Sequence, residues 1–380
     1  MKQTSTDRQL WFVASSLALS LTTTTYTGQQ MSMSAPIRVC VVGFGALGTI
    51  YSFILEKSGL AEVTAVCRSN YFSMKEHGID VCSEKLSPGV NYLNWRPHRI
   101  VDSVDSAANA EDSYDYIVCT FKCLPDIATT PELLGPLLAR SRNFVLIQNG
   151  IGIEVDLQAA VPNAVIMSGC AWIDATVVDH GRSLKHGPIE KLVIGVHSPI
   201  GAPPGAPRST EAHTALTTFV DLLKAGGGTP EQAVDIQAAR WKKIIWNAGF
   251  STFATLANAT LPEICHEPAR SYTMPIVRGF MEEVINVARG LGLDEPVLPT
   301  ASIDEAIDLT LSEYGVAGPA YKASMLVDFL AERPMEIEVI IGGILRYAVA
   351  KQVPAPRLST AYALLKVHQT RFIQKSKNRT

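Results

Sequence analysis

Two spacings of apolar residues divide this chain. Up to about residue 236 they come in short, often β-branched runs closed by Gly, Pro, Asn or Asp, which read as buried strands. Such runs occupy 38–42, 63–67, 115–120, 143–147, 164–167, 175–178 and 192–195, with helical spacing over 126–140 and 211–224 and a short strand ending near Ile236. From Ala238 onward the spacing is helical, over 241–256, 274–291, 303–312, 325–332, 336–351 and 357–366. The pattern predicts an α/β Rossmann domain over residues 36–236, then an all-α domain over 237–371 and a basic tail over 372–380. SPIGAPPGAP, residues 198–207, cannot hold regular structure, and Asp179-His180-Gly181 and Lys185-His186-Gly187-Pro188 read as turns.

The sharpest local signal follows the first strand. Gly43-Phe44-Gly45-Ala46-Leu47-Gly48 opens a helix directly behind Arg38-Val39-Cys40-Val41-Val42. In such a strand, turn and helix the first glycine makes the tight turn, the second lets backbone approach a pyrophosphate, and the third lets helix and strand pack closely. The helix N-terminus offers its amides to phosphate. An ordinary turn would also tolerate glycine; the flanking strand and helix favour a dinucleotide. Where an acid ending the second strand would select NAD, Arg68-Ser69-Asn70 follow Cys67, so the ligand read here is NADP(H), with Arg68 suited to its 2′-phosphate. Lys122 reaches the same sheet edge and would add to that phosphate field; taken alone it reads as a surface lysine.

Composition narrows the class. With 380 residues, 47% hydrophobic, 18% charged and a net charge of −3, the chain is long enough for two cores and has no basic stripe for nucleic acid. The seven cysteines form no CxxC pair and several fall in predicted strands; they read as reduced, small apolar residues of an intracellular protein, and no metal site is expected. His180 and His186 have no acid at an orienting position and read as loop residues. In residues 1–35, Lys2 and Arg8 precede a short apolar run and Thr22 to Thr25. That run is too short to span a membrane. The segment reads as a disordered extension or over-long start in a cytoplasmic protein, or as a mitochondrial presequence. The apolar helical domain could bury its own face or pair with a second copy, so a homodimer stays open.

Four motifs in order carry a resemblance. GFGALG, Ile147-Gln148-Asn149-Gly150-Ile151-Gly152, Trp241-Lys242-Lys243-Ile244-Ile245-Trp246-Asn247, and Ser324-Met325-Leu326-Val327-Asp328 with Glu336 twelve residues beyond Ser324 together resemble the ketopantoate reductase (2-dehydropantoate 2-reductase) family, from Ile37 to about Lys366. The resemblance implies NADP(H)-dependent reduction of the 2-keto group of ketopantoate to pantoate, a pantothenate precursor. It implies a cleft between a Rossmann domain and a helical domain like that of 6-phosphogluconate dehydrogenase. By it, Lys243 is the general acid, Asn247 and Ser324 touch substrate, Glu336 serves the active site and the nicotinamide ribose, and Asn149 bridges cofactor and substrate. Gly43, Phe44, Gly45, Ala46, Leu47, Gly48, Arg68, Lys122 and Ala175 would hold NADP(H). Ser251 stands on the substrate side where the family usually has a second asparagine, and Tyr321 where it tends to place a small polar residue.

The chemistry asks for such groups. Hydride delivered to a ketone leaves charge on oxygen, which a donor must stabilise and then protonate. Lys243 and Asn247, at i and i+4, share a helix face, while Lys242 points about 100° away and reads as solvated. Glu336 could instead serve charge complementarity at a helix start, and Ser324 could be the N-cap of a helix beginning at Met325. Three readings stand: a ketopantoate reductase, a paralogue acting on a bulkier or secondary-metabolic carbonyl, and a non-catalytic NADP(H) sensor. A sensor needs none of Lys243, Asn247, Ser324 and Glu336.

Overall fold

The computed structural model describes residues 35–198, 209–314 and 321–378; the expectations for the N-terminal extension and for nearly all of SPIGAPPGAP lie outside them. Among the described residues ten strands form one sheet: β1 Ile37–Val42, β2 Ala61–Val66, β3 Ile79–Ser83, β4 Asn91–Trp95, β5 Arg99–Val101, β6 Tyr116–Cys119, β7 Asn143–Ile147, β8 Val165–Val178, β9 Ser183–Val196 and β10 Pro230–Gln232. The order is β4-β3-β9-β8-β7-β6-β1-β2-β5, with β10 beside β9. From β5 to β8 every pairing is parallel, and β9 then returns antiparallel along β8. The associated helices are α1 Ala46–Lys57, α2 Tyr71–His77, α3 Val104–Ala110, α4 Thr130–Leu134, α5 Val155–Ala160 and α6 Thr210–Ala225.

The sheet curls. β4 ends at Trp95 and β5 begins at Arg99, yet they stand at opposite ends of the strand order. Four Cα steps span at most about 14 Å, so the two ends must approach each other. What they enclose is α1, whose residues Gly48 to Leu55 are all buried, with the Phe53 ring edge-on to Tyr92 and Trp95 at 4.9 and 5.4 Å. A mostly apolar helix buried on every side fits that enclosure.

Beyond the sheet the chain is helical: α7 Ile236–Trp246, α8 Thr252–Ala257, α9 Leu261–Cys265, α10 Arg270–Gly290, α11 Ser302–Tyr314, α12 Ser324–Leu330, α13 Ile337–Ala350 and α14 Pro356–Lys377. Trp241, Phe250, Met281, Ile341 and Leu358 share their core. No described helix is long and apolar enough to cross a membrane.

Four local expectations change. The helix read over 126–140 is instead α4 followed by a 3₁₀ turn, Gly135–Ala139, because Gly135-Pro136 interrupts the α ladder. Lys185-His186-Gly187-Pro188 is not a turn but part of β9. The register slips opposite Ile173 and Ala175, so the bulge absorbs Gly187 and Pro188 while β8 still pairs on both sides. His186 is accordingly buried rather than in a loop, its Nδ1 2.8 Å from Ser83 Oγ. The helix read over 241–256 starts at Ile236, where the Asp235 carboxylate accepts from the Gln237 and Ala238 N–H groups, and a π turn at Asn247–Ser251 separates it from α8.

Candidate active site

The glycine turn lies at the carboxyl end of β1, between β2 and β6, where ligands bind in open α/β sheets. Gly43 has φ +97°, and a Cβ there would stand 2.5 Å from the Phe121 backbone nitrogen; on Gly48 it would stand 2.1 Å from the Gly43 carbonyl oxygen. Gly45 faces open space, and the first turn of α1 has neither a side-chain cap nor an acid. Those uncapped amides beside an unobstructed glycine fit a pyrophosphate. Thr120 Oγ1 donates to the Gly43 carbonyl at 2.5 Å and Asn70 Nδ2 to the Phe44 carbonyl at 2.9 Å, fixing the turn from two sides. Arg68 is exposed at the end of β2, two residues before Asn70, with no ion-pair partner among the described residues.

A second cluster forms where β6 and β7 end, beside the middle of β8. Lys243 Nζ, from α7, donates to Asn149 Oδ1 at 3.1 Å and to the Ala171 carbonyl of β8 at 2.6 Å. Asn149 Nδ2 donates to Glu336 Oε2 at 3.2 Å, and Glu336 Oε1 accepts the Cys123 N–H at 3.1 Å. The Trp172 ring centroid is 5.8 Å from the lysine nitrogen. Burial holds the Lys243 ammonium below its ordinary range; Cys170 and Glu336 oppose that shift and Arg240 adds to it. Burial raises Glu336, against its hydrogen bonds from Asn149 and Cys123. The side chain of Glu336 therefore serves this cluster rather than its own helix start.

The other expected residues are placed as follows. Asn247 and Ser251 begin and end the π turn and are both buried; among the described residues the Ser251 hydroxyl has no hydrogen-bond partner. Ser324 is the first residue of α12 and exposed, with Ala323 as N-cap and no side-chain cap bond, so the capping role read for it is not formed. Lys122 forms an ion pair with Asp328, which Arg333 also holds at 2.9 Å. Ala175 lies on the outer part of β8, six residues past the last position paired with β7, about 20 Å further along the strand; the structure does not bring it to the cluster. Lys242 pairs with Glu305 at the surface, and Glu338 with Lys366 and Tyr362. Sequence reading missed Asn70, Ala171, Trp172 and Arg240. Two left a trace, Asn70 in the Arg68-Ser69-Asn70 run and Arg240 three residues before Lys243. No group of three or more His, Cys, Asp or Glu among the described residues could hold a metal.

Family models match both halves of the chain, ketopantoate reductase PanE/ApbA over residues 39–199 and its C-terminal domain over 235–369. The chain belongs to the ketopantoate reductase family. This is a family of NADP-dependent oxidoreductases acting on CH–OH groups, built as a Rossmann domain followed by a helical domain. The chain is 31% identical to the solved 2-dehydropantoate 2-reductase of Methylococcus capsulatus, with a TM-score of 0.71 covering 88% of this chain and 98% of that one. It is 29% identical over 361 residues to an uncharacterised protein of Saccharomyces cerevisiae, covering 88% and 94%. It is 25% identical to the 2-dehydropantoate 2-reductase of Nostoc sp., covering 90% and 97%.

Proposed function

We propose that this chain reduces the keto group of a 2-keto acid with NADPH, and that ketopantoate is its substrate. The hydrogen-bonded row Lys243, Asn149, Glu336 carries the reading, because it aims a proton donor beside the glycine-turn edge of the sheet. When bound, NADPH supplies the hydride. Lys243 stabilises the oxygen that becomes negative and gives it a proton, its own ammonium held in place by Asn149 Oδ1 and the Ala171 carbonyl. Glu336, fixed by the Cys123 N–H, accepts a hydrogen bond from the Asn149 amide N–H and so turns Oδ1 toward Lys243. Ser324 and Asn247 contact the substrate, and Arg68, Lys122 and the turn from Gly43 to Gly48 hold the dinucleotide.

The test is NADPH oxidation with ketopantoate, with NADH run in parallel. NADPH binding without ketopantoate turnover removes the substrate; no NADPH binding removes the reading altogether. Arg68→Glu should lower kcat/KM for NADPH by about 10- to 100-fold, the loss of a charged hydrogen bond of about 1.5–3 kcal/mol, while changing NADH turnover little. Equal losses with both coenzymes would take Arg68 off the 2′-phosphate.

The pH dependence has a definite sign. Protonated Lys243 is the acid, so kcat/KM falls as pH rises through its value, which burial has lowered from 10.5. Ionised Glu336 is the acceptor, so kcat/KM also falls as pH drops through its value, which burial has raised from 4.5. The profile should be a bell narrower than those two ordinary values allow. Glu336→Gln should abolish the acid limb alone, and an acid limb that survives unchanged assigns it to another group.

A second reading rests on aromatic side chains. Trp172 lies beside Lys243, and Tyr321 stacks on Tyr314 with ring centroids 4.8 Å apart. They favour a flatter or bulkier carbonyl compound, which a panel of 2-keto acids run beside ketopantoate would reveal by a higher kcat/KM.

A further inference from the structure

We infer that Arg240 is a positioning residue of this site, setting the register between the helix that carries Lys243 and the sheet edge that carries Asn149. The inference rests on the reductase reading above. Arg240 lies on α7 three residues before Lys243 and is 2% exposed. Its Nη1 donates to the Gln148 and Gly150 carbonyls, each at 3.0 Å, which flank Asn149 on both sides. Its Nη2 reaches the Leu146 and Gly169 carbonyls at 3.5 and 3.4 Å, at the ends of β7 and in β8. Its Nε donates to Ser168 Oγ at 2.5 Å and lies 2.8 Å from Glu154 Oε1, a carboxylate with no exposed surface.

All five donors of the fork are thus engaged, and none is left for substrate. A lysine at this place could neutralise Glu154 but could not span two strands and both sides of one turn. The direction of the Asn149 side chain follows from its backbone, which this guanidinium grips before and after it. Asn149 in turn fixes the Lys243 ammonium. A misplacement of about 1 Å in such an arrangement can cost about 100-fold in rate. Arg240 therefore acts through Asn149 and Lys243 rather than by contact.

The test is Arg240→Lys, assayed with whichever keto acid the wild-type enzyme reduces. The expected result is a kcat lowered about 10- to 100-fold, with KM and NADPH affinity within about threefold of wild type. Lys243 should also acylate several-fold faster at fixed pH, read by peptide mass spectrometry with exposed Lys242 as the internal control, because its amine is released from Asn149 and Ala171. Unchanged kcat together with an unchanged Lys243 labelling rate overturns the inference. Should Arg240→Lys fail to fold, the paired change Glu154→Leu with Arg240→Met replaces both charges by apolar groups, which buried pairs often tolerate, and the same readings apply. If the wild-type protein reduces no carbonyl compound the reductase reading fails, whereas the labelling comparison still decides the role of Arg240.

Discussion

Lys243→Ala is expected to lower kcat/KM for keto acid reduction by about 10²- to 10⁴-fold, the range for removing a general acid that also stabilises charge on oxygen. NADPH binding should hardly change, because the glycine turn is fixed independently by Thr120 and Asn70. The fold should survive as well. Truncation frees the Ala171 carbonyl and Asn149 Oδ1 at a half-buried position where water can replace the ammonium, and Glu336 keeps both its donors. Lys243→Arg separates two contributions: a guanidinium can stabilise the developing charge but cannot release a proton near neutral pH. Its rate should lie between those of wild type and Lys243→Ala, without the alkaline limb set by Lys243. Steady-state NADPH oxidation over a range of pH provides the measurement. Retention of more than a tenth of wild-type kcat/KM by Lys243→Ala would remove Lys243 as the acid.

The parts of this architecture that could be read in advance are those where local pattern and tertiary role agree. β1, the glycine turn and α1 declare themselves because a buried parallel strand, a tight turn and an enclosed helix each demand particular residues. The helical half is visible for the same reason, through its spacing. Local pattern misled where a partner far along the chain supplied the hydrogen bonds. His186-Gly187-Pro188 has turn chemistry, yet fourteen residues of β8 pass beside it and turn it into a bulged strand. The π turn at Asn247–Ser251 was invisible, since one extra residue in a helical turn leaves the apolar spacing nearly intact. In the site, Lys243, Asn149 and Glu336 were named through motifs, and their hydrogen-bonded row joins residues up to 187 positions apart, which no spacing argument reaches. Arg240 falls just before the helix read over 241–256 and offers no spacing signal, because its five engaged donors point to backbone, a serine hydroxyl and a buried acid on other elements.

Two substitutions in the glycine turn should separate packing from ligand binding. In Gly48→Ala the new Cβ would stand 2.1 Å from the Gly43 carbonyl oxygen and 2.8 Å from Thr120 Oγ1. Backbone cannot yield there as a flexible side chain would, so α1 must move off β1. The expected cost is about 1–3 kcal/mol of stability, as for other overpacked sites, with NADPH affinity falling about 100-fold or more as the helix amides leave their place. Gly45→Ala is the counterpart. Gly45 has φ −89° and ψ −156°, a conformation open to alanine, and its Cβ would meet nothing within 4 Å. The melting temperature should therefore stay at the wild-type value. The added methyl nevertheless occupies the side from which a pyrophosphate must approach the backbone, so NADPH affinity should fall about tenfold or more. Thermal melts and NADPH titration of both variants check the pair. A Gly45→Ala protein that binds NADPH as tightly as wild type would mean that no phosphate approaches this turn, and the dinucleotide reading of residues 43–48 would fail with it.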